Sequence, residues 1–247
     1  MTLLSGKTAI VTGGGRGLGF AIATAMAAEG AHTLVVDRNR DAADQVVAVI
    51  EDSGGSASAE TLDISDRAGV MAFGDRAVEQ YGKIDVLVNN AGIAPRIRPN
   101  DPDQMEKWDQ VIQVNLTGQW DITTALLPAL EHAGASVIYL SSIAGFTAPR
   151  SSAAYGASKA AVRSLVQYFA RTLGPTGGRA NGLAPGRIKS DLMTVTGAAG
   201  EKFLQRLPLG RVGETHEIAG PALFLASDMS SYVTGVTIPV DGGYLAL

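Results

Sequence analysis

Short apolar runs alternate along this chain with longer stretches in which apolar residues recur at helical spacing. Thr8-Ala9-Ile10-Val11-Thr12 predicts a buried strand, and Ala31 to Asp37, centred on Leu34-Val35-Val36, predicts a second. A weaker third runs from Ala57 to Leu62, and Ile84-Asp85-Val86-Leu87-Val88-Asn89 forms a fourth. Ser136 to Ser141, Arg179 to Ala184 and Val236 to Val240 complete a set of seven. The stretches between them predict helices near residues 17–29, 40–53, 66–81, 104–131, 152–173 and 215–227. Helices alternating with strands buried on both faces predict an α/β fold, a doubly wound seven-stranded parallel sheet with helices on both faces. No linker, repeat or low-complexity tract divides residues 1–247, so one domain is expected. Residues 186–210 scatter Gly, Pro and Lys among short apolar clusters, which predicts a short helical insertion acting as a lid over a substrate site.

Composition narrows the class. With 46% hydrophobic and 18% charged residues over 247 positions, the chain can bury a large core and is too apolar for disorder. Cysteine is absent, which excludes disulfides and thiolate metal sites and agrees with a cytoplasmic protein. His32, His132 and His216 are too scattered for a metal site. A net charge of −4 argues against nucleic acid as a partner. Met1 to Lys7 lacks the apolar core of a signal peptide, and no apolar run reaches membrane-spanning length. A small-molecule substrate is the expected partner.

Two motifs carry chemistry. Tyr155 and Lys159 stand four apart in an Ala-rich, Pro-free segment, which puts a phenol and an ammonium on one helix face. A phenol ionises near pH ~10, and a neighbouring cation favours the phenolate, making a tunable acid and base. At the other end, Thr12-Gly13-Gly14-Gly15-Arg16-Gly17-Leu18-Gly19 follows the first strand and opens the first helix. Glycines let backbone amides approach a ligand, and a helix N-terminus favours a pyrophosphate. Alone this is only a tight turn. Asp37, which would otherwise read as a turn or cap residue, stands at the end of the second strand, where a carboxylate takes ribose hydroxyls in dinucleotide sites.

The glycine spacing Thr-Gly-x-x-x-Gly-x-Gly resembles that of the short-chain dehydrogenase/reductases of the shorter, single-domain type, and the resemblance extends over almost the whole chain. In family order follow Asp63-Ile64, Asn89-Asn90-Ala91-Gly92, Val114-Asn115, Ser141-Ser142-Ile143-Ala144-Gly145, Tyr155 with Lys159, Pro185-Gly186-Arg187-Ile188-Lys189-Ser190, Thr234-Gly235 and Asp241-Gly242-Gly243. Departures are Ala180 where the family is bulkier, Ser190 where Thr is common, and the loose Thr176-Gly177-Gly178; none removes a catalytic group. The resemblance implies a Rossmann fold and hydride transfer between a nicotinamide cofactor and a secondary alcohol or ketone. It implies Tyr155 as acid/base, Lys159 as ribose holder, Ser142 as donor to the reacting oxygen, and Asn115 as anchor of a proton-relaying water chain. It assigns the cofactor to Gly13, Gly15, Arg16, Gly17, Leu18 and Gly19 at the turn, with Asp37 and Arg38 at the ribose and Asp63 and Ile64 at the adenine. Asn90, Ala91, Gly92, Tyr155, Lys159, Pro185, Gly186, Ile188 and Ser190 complete that set. A homotetramer is implied as well.

Asp37 repels a 2′-phosphate and so favours NAD, while Arg16 and Arg38 pull towards NADP; the carboxylate is expected to dominate. Around the substrate, Ser142, Ile143 and Tyr155 are joined by Arg96, Arg98, Arg150 and Arg187, which bind an acidic substrate or remain solvated rim charges. A polyol, sugar, sugar acid or small hydroxy/keto compound is expected. The alternatives are a 3-oxoacyl-carrier-protein reductase using NADPH, and a nicotinamide-binding regulatory protein without turnover.

Overall fold

The computed structural model describes residues 2–98, 100–147, 152–189 and 203–246. Seven parallel strands, β1 (Thr8–Thr12), β2 (His32–Asp37), β3 (Ser56–Thr61), β4 (Val86–Asn89), β5 (Ser136–Leu140), β6 (Arg179–Pro185) and β7 (Thr237–Val240), lie in the order β3-β2-β1-β4-β5-β6-β7. The predicted fourth strand loses Ile84 and Asp85. The Ile84 amide donates to the Ala129 carbonyl, and the Asp85 carboxylate accepts from the Thr8 amide at 2.8 Å, so both serve the turn below the sheet.

Side chains alternate between two cores. Ile10, Leu87, Val137 and Tyr139 face one layer, and Ala9, Val11, Val88 and Ile138 face the other. The first layer is α3 (Arg67–Tyr81), α5 (Gly118–Leu130) and α6 (Ala153–Leu173); the second is α1 (Gly17–Ala28), α2 (Arg40–Asp52) and α7 (His216–Ala226). β1, β4, β5 and β6 are almost wholly buried, whereas the edge strands β3 and β7 are only partly so, which corrects the expectation of double burial for every strand. The sheet order reverses between β1 and β4, and the crevice beyond their carboxyl ends is where such sheets take ligands.

The expected helix over 104–131 is broken. It consists of α4 (Gln104–Ile112), a π turn (Gln113–Thr117) and α5. A π turn adds one residue to a helical turn and so re-aims the side chains beside it, a feature concentrated at functional sites. Asn115 sits in it. In the region expected as a lid, residues 190–202 lie outside the described residues. Its near end is held by a bridge from Ile188 to Gly213, and its far end by Leu207, buried, and by Leu209, whose amide donates to Gly242.

Candidate active site

The glycine turn closes on β4. Gly13 has a positive φ of 61°, and a Cβ there would lie 2.8 Å from the Ala91 Cα. A Cβ on Gly19 would run into the Gly13 carbonyl. The Asn90 amide group donates to the carbonyls of Thr12 and Gly13, both at 2.9 Å, and the Thr12 hydroxyl accepts from the amides of Asn90 and Ala91. Thr12, which opens the glycine motif but was not in the expected cofactor set, therefore ties the turn to the end of β4. No side chain caps α1, and a Cβ on Gly17, whose φ is 58°, would meet nothing within 4 Å. Amides at an uncapped helix start facing open space suit a pyrophosphate. Arg16 is exposed there and Leu18 is partly buried.

Asp37 is fixed through both oxygens. One accepts from the Gly15 amide and the other from the Asn39 amide, each at 3.0 Å. Beside it, Arg38, Asn39, Arg40, Asp41, Thr61 and Asp63 line an open depression. The Asp63 carboxylate accepts from the Ser65 hydroxyl, which holds its pKa below the ordinary value. The Ile64 side chain is buried in the core, so only its backbone is available to a ligand. Pro185 ends β6, and Gly186 packs so closely on Asp241 that a Cβ would lie 2.7 Å from its Cα. Ile188 is half-buried; Ser190 lies outside the described residues. The arrangement thus fits a dinucleotide from the glycine turn to Asp37.

The catalytic candidates converge. Ser142, just past β5, accepts from the Ala144 amide at 3.1 Å, and its hydroxyl lies near enough to the Tyr155 phenol to favour the phenolate. The Ser152 hydroxyl caps α6 by accepting from the Tyr155 amide, placing Tyr155 in its first turn. One turn later Lys159 is buried, with Nζ donating to the Leu140 carbonyl at 2.6 Å and lying 5.8 Å from the Tyr155 ring centre. Burial pushes the Lys159 pKa down to about 8. Burial also raises the Tyr155 pKa, and the Ser142 hydroxyl opposes the rise. The expected lowering of Tyr155 by Lys159 is not what this geometry gives, because the ammonium is turned towards Leu140 and desolvation dominates. Asn115 is fully buried: it accepts from the Ile93 amide and donates to the Ile93 carbonyl, both at 2.8 Å, and donates to the Ser158 hydroxyl. A Cβ on Gly92 would stand 3.2 Å from the Asn115 Oδ1 and 3.6 Å from the Lys159 Nζ, so these three also meet.

Arg96 and Arg98 are exposed, Arg187 is half-buried with its guanidinium 5.1 Å over the Phe203 ring, and Arg150 lies outside the described residues. Ile143 is half-buried next to Ser142. No group of acidic residues and histidines able to hold a metal occurs among the described residues, and none of their helices is long and apolar enough to cross a membrane.

The family model described as enoyl-(acyl carrier protein) reductase matches residues 13–245. The chain belongs to the short-chain dehydrogenase/reductase family. The 3-oxoacyl-(acyl-carrier-protein) reductase of Thermotoga maritima is 37% identical, the match covering 97% of this chain and 98% of that one. Trans-4-hydroxycyclohexanecarboxylate dehydrogenase of Sinomonas cyclohexanicum is 38% identical, over 97% of this chain and 93% of that one. The crystal structure of a candidate 2-deoxy-D-gluconate 3-dehydrogenase from Agrobacterium tumefaciens with bound NADP superposes with a TM-score of 0.89 at 34% identity, covering 99% of this chain and 98% of that one. This short-chain dehydrogenase/reductase is accordingly an oxidoreductase acting on an alcohol or ketone with a nicotinamide cofactor.

Proposed function

We propose that this enzyme is an NAD-linked dehydrogenase of a polyol, sugar acid or small hydroxy compound. The observation that carries the reading is the convergence of Ser142, Tyr155 and Lys159 at the open end of β5. The cofactor, when bound, supplies the hydride acceptor or donor. Gly13 to Gly19 cradle its pyrophosphate, Asp37 takes the ribose hydroxyls, and Lys159 holds the nicotinamide ribose. Tyr155 removes the hydroxyl proton as an alcohol becomes a ketone and returns it in the reverse direction. Ser142 donates to the same oxygen as charge develops there. Asn115 holds Ile93 and so fixes the floor behind Lys159, through which the proton leaves. Residues 1–247 act as one domain, and the protein works as a homotetramer.

Asp37 supports NAD. With both oxygens committed by backbone amides, the carboxylate cannot turn away from a 2′-phosphate. The relatives support the substrate class: one carries the name of a hydroxycyclohexanecarboxylate dehydrogenase, and another that of a D-threitol dehydrogenase. A second reading, reduction of a 3-oxoacyl thioester with NADPH, is favoured by the 37% identity to the Thermotoga reductase. Its acidic carrier protein would meet a chain of net charge −4, which counts against it. The test is turnover of D-threitol, 2-deoxy-D-gluconate, trans-4-hydroxycyclohexanecarboxylate and acetoacetyl-CoA, each with both cofactors, in wild type and Asp37→Ser. Wild type is expected to oxidise one of the alcohols with NAD, and Asp37→Ser to shift kcat/KM towards NADP. A wild type that prefers NADPH and the thioester would replace this reading with the second.

A further inference from the structure

The turn that carries Ser142 is fastened to α6 at three points. Ser141, at the end of β5, donates its hydroxyl to the Lys159 carbonyl at 2.8 Å. The turn Ile143–Gly145 lies flat on the helix there, since a Cβ on Gly145 would stand 2.6 Å from that same carbonyl. The third fastening comes from a side chain. Arg163 donates from Nη1 to the Gly145 carbonyl at 3.0 Å, and its guanidinium stacks 3.7 Å from the centre of the Phe146 ring. Among the described residues both contacts of this guanidinium go to the one turn, and Arg163 forms no ion pair.

Spacing makes this more than a surface contact. Tyr155, Lys159 and Arg163 recur every four residues along one stripe of α6. The same stripe therefore presents the acid/base, the cation beneath it, and a clamp on the loop opposite. The Ser142 oxygen accepts from the Ala144 amide inside the clamped turn, which leaves its proton for the oxygen bound at Tyr155. Where Gly145 sits sets where Ala144 sits, and so the direction in which the Ser142 proton points. Holding a long side chain in one rotamer opposes this arrangement entropically, and the cation–π stack and the charge-assisted hydrogen bond offset it.

We propose that Arg163 is a positioning residue for this reaction: it clamps the Ile143–Phe146 turn onto α6 and so aims the Ser142 hydroxyl at the reacting oxygen. The inference rests on Ser142 and Tyr155 being the working pair. The test is a double-mutant cycle. Arg163→Leu and Arg163→Lys are placed in wild type and in Ser142→Ala, and turnover is measured with NAD and the alcohol of the above panel oxidised fastest. The Tyr155 ring-carbon NMR resonance, assigned by its absence in Tyr155→Phe, is followed in the same set without any substrate. Arg163→Leu is expected to lower kcat by about 10-fold, the scale of a misplaced catalytic group, with NAD affinity and melting temperature near wild type. Arg163→Lys, which can still reach the carbonyl but lacks the flat stack, should fall between. In the Ser142→Ala background Arg163→Leu should cost nothing further, and it should shift the Tyr155 resonance only when Ser142 is present. Equal losses in both backgrounds, or an unmoved resonance in wild type, would overturn the proposal. If Ser142→Ala alone changes neither turnover nor the resonance, it is the assignment of Ser142 that fails.

Discussion

Burying the Lys159 ammonium against the Leu140 carbonyl pushes its pKa down to about 8. An unfolded lysine titrates near ~10.4. Between these values the unfolded chain binds more protons than the folded one, so stability rises with pH across that window. At neutral pH both states are protonated and the folded state carries the whole penalty, on the order of 3 kcal/mol. Lys159→Met should therefore melt above wild type at neutral pH while losing turnover, and the gap should narrow as pH climbs through the window. Thermal unfolding of both proteins at several pH values measures this; a Met variant that melts lower at neutral pH would contradict it. The spacing of Tyr155 and Lys159 was readable from the chain, because a helix repeats on itself every few residues. The direction of the Tyr155 shift was not, since it depends on how much water the fold removes and on a carbonyl nineteen residues upstream of Lys159.

Elements were readable where a single layer of neighbours decides them. The strands end within two residues of where the apolar runs placed them, because each run is bounded by glycine or polar turn residues. The π turn at Gln113–Thr117 was not, since residues 104–131 keep helical composition throughout and the added residue shows only in the backbone bonding of the folded helix. Arg163 escaped for a similar reason: a helix arginine reads as solvated until its partner loop is in place. The glycine turn allows a prediction at this scale. A methyl at Gly19 collides with the Gly13 carbonyl, so Gly19→Ala must open the turn that would hold the pyrophosphate. Overpacking of this kind costs about 1–3 kcal/mol, enough to weaken NAD binding by roughly 5- to 150-fold if the cost falls on the bound turn. Gly220→Ala, in α7 with nothing beyond its chain neighbours within 4 Å of an added methyl, should leave NAD binding unchanged. Calorimetric titration with NAD separates the two; equal affinities in both variants would mean that the turn does not hold the cofactor.

At the scale of the molecule, the sheet order places the glycine turn after β1, the Asn90 to Gly92 segment after β4 and Ser142 after β5 along one edge, and α6 brings Tyr155 and Lys159 to it. Strand–helix alternation predicted that layering. It did not predict which arginines would share the mouth, because that depends on loops whose course apolar periodicity does not record; Arg96 and Arg98 are solvent-exposed and Arg187 lies over Phe203. The proposed chemistry turns on one proton. Tyr155→Phe keeps the ring and removes the hydroxyl that would carry it. The most direct test measures, in this one variant, turnover of the alcohol oxidised fastest by wild type together with NAD affinity. The kcat of the Phe variant is expected to fall by at least ~100-fold while NAD binds as in wild type. Turnover close to wild type in the Phe variant would contradict that chemistry.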